Sequence, residues 1–272
     1  MFDYFMSSQI LYKFRSWSDS IQRRSLLNRE IYFASPSQFN DPFDCFINYR
    51  YDLLSPEEKL EKYCDMIREE EPLLSDDELK RQANNWLREG FLDKEKLLEN
   101  NKTIMRETFN EKVGILSLTK TKNPILLWSH YSDSHRGFCI GYNKDILVED
   151  LKTKYNTIKK IFYELNVVYS EKYPIIIPGK NITPAEYVRT PIATKAKFWE
   201  YEQEYRIFIL GGSREITTVP KEAITEVFIG CNMPESSQIE IGEYVIKSLP
   251  HASLYKAEMH HESFELVFNK IN

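Results

Sequence analysis

With 42% hydrophobic and 14% aromatic residues, a chain of 272 residues has ample apolar side chain for a core, and 17 Tyr and 16 Phe against 9 Gly point to packed aromatic layers, not disorder. A net charge of −5 excludes broad, nonspecific nucleic-acid binding, although not a local basic groove. No apolar run approaches the roughly 20 residues of a membrane helix, and Cys45, Cys64, Cys139 and Cys231, with no CxxC spacing, read as free thiols of a reducing cytoplasm.

Met1 to Gln9 lacks a basic region followed by an apolar stretch, so no signal peptide is expected. Ile10 to Arg15 reads as a strand. Alternation places Ile10, Tyr12 and Phe14 on one face, and Leu11, Lys13 and Arg15 on the other. Lys13 and Arg15 are either anion contacts or solvated edge charges. A short helix over Ser18 to Asn28, capped by Ser18 or Asp19, turns Ile21, Leu26 and Leu27 inward. A second strand, Arg29 to Ala34, runs into a loop in which Pro36 and Pro42 bracket Asn40 and Asp41. Those two are plain turn residues or present an amide and a carboxylate to a pocket.

From Ser55 to Lys112 the character changes. Ser55-Pro56-Glu57-Glu58 and Ser75-Asp76-Asp77-Glu78 both have the S-x-x-E form of a capping box. Charged helices over Pro56–Glu71, Asp76–Glu89 and Asp93–Asn110 are expected, with narrow apolar stripes. The expected organisation is one domain over 1–272 with a three-helix insertion at 55–112 that serves as a lid, a partner-facing element or a structural flank.

Gly114 to Thr119 reads as a strand entering Asn123 to Tyr142, which holds two of the five histidines within six residues. Asn123-Pro124 has the form of an N-cap and first helical position, Ile125 to Tyr131 of a helix, Ser132 to Gly137 of a turn, and Phe138 to Tyr142 of a buried strand. His130 and His135 thus sit at element junctions, where sites are often built. Each is equally well explained as a structural hydrogen-bonding residue. A helix over Ile146 to Tyr155, a strand over Ile161 to Tyr169 and a helix over Thr183 to Thr190 follow. Alternation from Glu202 places Glu202, Glu204, Arg206 and Phe208 on one strand face. Two carboxylates about 6.8 Å apart, followed by an arginine, are costly to bury unless paired. They form either an exposed charge ladder or a functional glutamate held by Arg206. A strand over Ala223 to Gly230, a helix over Ser236 to Ser248 and a hairpin with His260-His261 at its turn complete the chain.

No phosphate loop, G-x-G-x-x-G, G-x-S-x-G or H-E-x-x-H is present, which removes P-loop NTPases, ordinary dinucleotide dehydrogenases, α/β-hydrolases and zincin proteases. Cys139 lies within an apolar strand, where a thiol is inert. The fold class read from these elements is α+β, with a twisted, mostly antiparallel sheet, either whole or split in two.

Leu11 to Arg15, Ile31 to Pro36 with Phe39 to Asp44, Leu127 to Tyr131 with His135 to Gly141, and Trp199 to Arg206 together resemble the bacterial DUF2971 family. The opening is also similar to ADP-ribosyltransferase folds, in which a first strand of the form L-Y-H-x-T precedes a helix and a strand, and a late strand supplies the catalytic glutamate. Lys13 stands where that pattern has histidine, and Arg15 where it has threonine; other branches carry arginine on the first strand. Glu202-Gln203-Glu204 has the Glu-x-Glu form of some branches. The resemblance implies NAD as substrate, with Glu204, Glu202, Arg206 and His130 catalytic. It implies nucleotide contacts from Tyr12, Lys13, Arg15, Ser35, Asn40, Asp41, Trp128, Tyr131 and His135. It further implies a nucleic-acid or protein acceptor and a role as a toxin or antiphage effector. Two other readings stay open. One is a nuclease or phosphotransferase using His130, His135 and Asp41; the other is a non-enzymatic module that docks a protein partner through 55–112. On every reading early cations, a mid-chain imidazole and late carboxylates are expected around one cleft.

Overall fold

A computed structural model describes residues 9–46, 48–93, 95–157, 159–179 and 183–271. The segment 1–8, which covers nearly all of the stretch in which no signal peptide is expected, lies outside them. The chain forms two compact units, one of 1–38, 112–167 and 198–272 and the other of 39–111 and 168–197.

The first unit is built on an eight-stranded sheet. Its strands are β1 (Ile10–Arg15), β3 (Val113–Thr119), β4 (Phe138–Asn143), β5 (Ile161–Asn166), β8 (Glu204–Leu210), β10 (Ile224–Ile229), β11 (Ser253–Met259) and β12 (Leu266–Lys270), in the order β12-β11-β10-β4-β1-β3-β8-β5. Only β10 and β11 pair in parallel; the other neighbours are antiparallel. The mixed α+β class and the mostly antiparallel sheet are as the sequence implies. A separate ribbon joins β2 (Glu30–Phe33) to β9 (Glu215–Thr218).

Alternation fixes what each sheet face carries. Leu116, Leu118, Ile140, Tyr142, Ile207, Ile209, Val227, Ile229 and Leu254 line one face. Leu26 of α1 (Ser20–Leu27), Leu147 and Leu151 of α6 (Lys144–Tyr155), and Ile241 and Val245 of α8 (Glu235–Ser248) close over it. The opposite face carries Tyr12, Phe14, Cys139 and Phe228, covered by Leu127 and Trp128 of α5 (Ile125–Tyr131). β1 meets β3 at the single register pair Tyr12–Thr119, and Ala34 bridges β3 at Ile115. Lys13 Nζ donates to Ser117 O across the gap at 2.5 Å.

The expected elements recur with local differences. Asp19 caps α1 by accepting from Ile21 N and Gln22 N, but Ile21 is 71% exposed, not inward. Pro124, not Asn123, is the N-cap of α5 and offers no side-chain bond. The strand expected over Ile161 to Tyr169 ends at Asn166; Val167 N still bonds Glu204 O, and the chain then enters the other unit in β6 (Val168–Ser170).

The second unit holds α2 (Pro56–Glu70), α3 (Asp76–Arg88), nearly all of α4 (Glu95–Lys112) and α7 (Pro184–Ala193), with β6 paired to β7 (Thr194–Ala196). Ser55 and Glu58 form the reciprocal capping box; Ser75 accepts from Glu78 N without the return bond to its backbone. Tyr63, Ile67, Leu79, Ala83 and Leu92 form its core with Tyr49, Tyr51 and Ile176. The unit therefore takes in residues before Ser55 and the later segment 168–197, not 55–112 alone.

Candidate functional site on the charged face of the sheet

Register builds the site. Glu226, Gly141, Tyr12, Thr119 and Glu204 are successive cross-strand partners on β10, β4, β1, β3 and β8. They form one row across five strands, about 19 Å from end to end at the usual strand spacing. Carboxylates end the row and a phenol stands at its centre. Tyr12 OH donates to Glu226 Oε2 at 3.1 Å. Burial, and then the neighbouring Glu226 charge, push the Tyr12 phenol above its ordinary range, so it stays a donor at neutral pH. Gly141 makes room: a Cβ there would lie 2.9 Å from Glu226 Cβ and 3.1 Å from its Oε2.

At the other end Arg206 Nε lies 2.6 Å from Glu204 Oε2. Arg206 is 0% exposed and Glu204 7%, a charged pair inside an otherwise apolar strand. Removing one partner would take from the other an opposite charge that it meets away from solvent. Glu202 is not on the strand, contrary to the simple alternation. The 3₁₀ turns Lys197–Glu202 run up to it, and Gln203, with φ +45°, kinks the chain before β8 starts at Glu204. Thr119 Oγ1 donates to Glu202 O at 2.5 Å, and Lys120 N donates to Gln203 O at 3.2 Å, which fixes the kink. The kink leaves Gln203 exposed and keeps Glu202 buried at 2%. Tyr131 OH donates to Glu202 Oε1 at 2.8 Å.

α5 supplies the cover. Trp128 is fully buried, meets Phe14 edge-to-face at 5.0 Å and donates its indole N–H to Lys122 O at 2.9 Å. Lys122 Nζ hangs over the rings of Phe228, Tyr12 and Phe268 at 5.4, 5.5 and 5.8 Å, a cation–π contact on the same face. His130 points outward from α5, its ring 6.2 Å from that of Trp199, which lies 6.1 Å from Tyr201.

His135 is held differently. Asp133, Ser134 and His135 carry φ of +50°, +54° and +66°, three successive left-handed residues without a glycine, a conformation that costs energy at each. Bonds from His135 N to Trp128 O, Ser134 N to Ser129 O and Asn232 N to His135 O hold them. The imidazole stacks on Trp128 at 6.4 Å, and its Nε2 lies 3.2 Å from Ser129 Oγ. Burial lowers its pKa, favouring the neutral ring.

Tyr12, Trp128, Tyr131, Glu202, Glu204 and Arg206 thus lie on or over one sheet face, with His130 and His135 on its cover. Lys13 and Arg15 do not join them, because Lys13 pairs with Ile140 and Arg15 with Phe138, residues of the opposite, apolar face. The expectation of one cleft shared by early cation and late carboxylates fails on register. Ser35 is fully buried, its Oγ 2.9 Å from Ser37 Oγ and its N–H on the Gln38 side chain, which is loop geometry. Asn40 and Asp41 belong to the second unit. Asp41 Oδ1 accepts from Phe43 N at 2.9 Å, a turn contact.

Glu226, Thr119 and Lys122 escaped the sequence reading. Glu226 is the one charge inside the apolar run Ile224 to Ile229 and was open to notice; Lys122 has no comparable signal. The buried Asp44–Lys195 pair of the second unit, 3.7 Å apart with side chains 2% and 3% exposed, was also unforeseen. His260 and His261 stack at the hairpin turn, and no group of three or more metal-type side chains occurs among the described residues. No helix among them is long and apolar enough to cross a membrane.

In comparison with known families, the model described as "Protein of unknown function (DUF2971)" matches residues 127–207, from α5 into β8. The match supports the DUF2971 resemblance over that segment, which carries Tyr131, Glu202, Glu204 and Arg206. No curated protein and no solved structure matches the chain.

Proposed function

We propose that the chain transfers or hydrolyses a nucleotide glycosidic bond, with NAD as the substrate class, on the face that carries Glu202 and Glu204. The observation behind this reading is that two buried carboxylates, one on Arg206 and one on Tyr131, lie on or over the sheet face that carries Tyr12. Glu204 would accept a hydrogen bond from a ribose hydroxyl and stabilise the oxocarbenium-like centre, with Arg206 holding its carboxylate in place. The N-glycosidic bond breaks with its electron pair leaving on nicotinamide. The ribosyl C1′ then bonds the acceptor nucleophile, whose proton passes to the exposed His130 imidazole or to water. Glu202 and Tyr131 act together in orienting the sugar. Lys13 and Arg15 are withdrawn from this site by their face; Lys122 is the cation beside Tyr12 that suits a phosphate there.

The test is incubation of the purified chain with labelled NAD and a cell lysate. Nicotinamide release, or label on nucleic acid or protein, supports the reading, and Glu204→Gln should lower it by about 10²–10³-fold. Full activity in both the Glu204→Gln and the Glu202→Gln variant removes it. A role as toxin or antiphage effector belongs to the same proposal; the rival reading is a non-enzymatic module that docks a protein partner through 55–112. Leu73, 99% exposed between α2 and α3, is a place to test the partner by substitution to serine.

A further inference from the structure

The cations that register removes from the glutamate face call for their own account. Lys13 and Arg15 project from β1 onto the apolar face, and Tyr142 stands on the same face of the neighbouring β4, opposite Leu11. Along the paired strands the order is Tyr142, then Lys13 beside Ile140, then Arg15 beside Phe138. Tyr142 is 0% exposed, and its hydroxyl has no hydrogen-bond partner among the described residues. No hydrogen bond or ion pair among the described residues reaches the Arg15 guanidinium. Burial lowers the Arg15 pKa, and Tyr142 and Asp19 lie within electrostatic reach of it. Lys13 and Arg15 both keep partial solvent contact, so the place is not sealed.

A buried hydroxyl and a guanidinium without protein partners are each unfavourable alone. Together they offer donors to one acceptor-rich anion, and the Lys13 ammonium, which donates to Ser117 O on β3, adds positive charge on the same face. We infer that Arg15 and Tyr142, with the Lys13 charge on the same face, form an oxyanion site for a phosphate monoester or inorganic phosphate, separate from the glutamates because the sheet stands between. Arginine offers the planar fork that matches two phosphate oxygens, lysine a point charge, and tyrosine a single O–H. Asp19, the nearby carboxylate, is already taken up at both oxygens, by Ile21 N and Gln22 N on Oδ1 and by the Gln22 side chain on Oδ2.

The site is tested by calorimetric titration of the whole chain with inorganic phosphate and with AMP, alongside thermal melts without ligand. Wild type should bind at millimolar concentration or tighter. Tighter binding of AMP that Arg15→Gln weakens identifies a monoester site, and equal binding of the two probes that Arg15→Gln weakens a phosphate site; either supports the inference. Arg15→Gln should weaken binding by about tenfold or more. Tyr142→Phe should weaken it severalfold while leaving the melting temperature of the free chain unchanged or higher, since the hydroxyl has nothing to lose. Glu204→Gln should leave phosphate binding as it was, which separates this site from the proposed activity. Absence of saturable binding of both probes to wild type would overturn it. So would a Tyr142→Phe chain that melts lower yet binds as tightly, since the hydroxyl would then serve the fold alone.

Discussion

The two faces of the eight-stranded sheet are made from the same strands yet solve different problems. On β8, Tyr205, Ile207 and Ile209 enter a continuous apolar core, while Glu204 and Arg206 on alternate positions point to the other side and are buried there as an ion pair. The apolar face needs only volume and exclusion of water. The charged face needs each group to find its partner: Glu204 with Arg206, Glu202 with Tyr131, Glu226 with Tyr12. A fold gains little from burying charges that hydrophobic residues could replace. The paired, buried carboxylates of this face are the reason for proposing function there.

Substitutions on the two faces sharpen the contrast. Arg206→Ala takes from the buried Glu204 the guanidinium it bonds and should cost about 3–5 kcal/mol, read as a lowered denaturant midpoint. The double change Glu204→Gln with Arg206→Met should recover much of that loss. If Arg206→Ala is as mild as a surface change, the pair is not truly desolvated. On the apolar face Ile207→Ala should cost about 2–5 kcal/mol through the cavity it leaves, with catalysis in the remaining folded fraction intact. Gly141→Ala should displace the Glu226 carboxylate at a cost of about 1–3 kcal/mol and disturb the Tyr12 bond. Tyr12→Phe should cost about 1 kcal/mol, measured in the same melts.

The smallest effect concerns pH. The His135 imidazole titrates lower in the fold than in the unfolded chain because it is buried. The unfolded state therefore takes up the proton first as pH falls. The stability tied to the neutral ring is present above about pH 6.5 and is lost as pH drops from there through the lowered folded value. His135→Gln should flatten that part of the stability profile; an unchanged slope would mean that His135 is hydrated in the folded protein.

Much of the frame was legible. The strand at Ile10 to Arg15, the Asp19 cap, the Ser55–Glu58 box, the short helix before Tyr131 and the closing hairpin all follow from period and capping. Alternation even separated Tyr12 from Lys13 and Arg15 correctly. What it lacked was register. Only the pairs Tyr12–Thr119 and Thr119–Glu204 show which β1 face the glutamates share, and those pairs join segments distant in sequence. The Gln203 kink was hidden because an alternating E-Q-E-Y-R pattern extends naturally backwards, while its cause, Thr119 bonding Glu202 O, lies far upstream. The second unit draws on 168–197, which no local composition ties to 39–111.

Nicotinamide release by wild type and by Glu204→Gln, compared at equal folded concentration with lysate present, tests the charged face most directly. Release by wild type that drops by about two orders of magnitude in the variant is the expected result. Equal release from both, or none from wild type, would contradict the assignment of catalysis to that face.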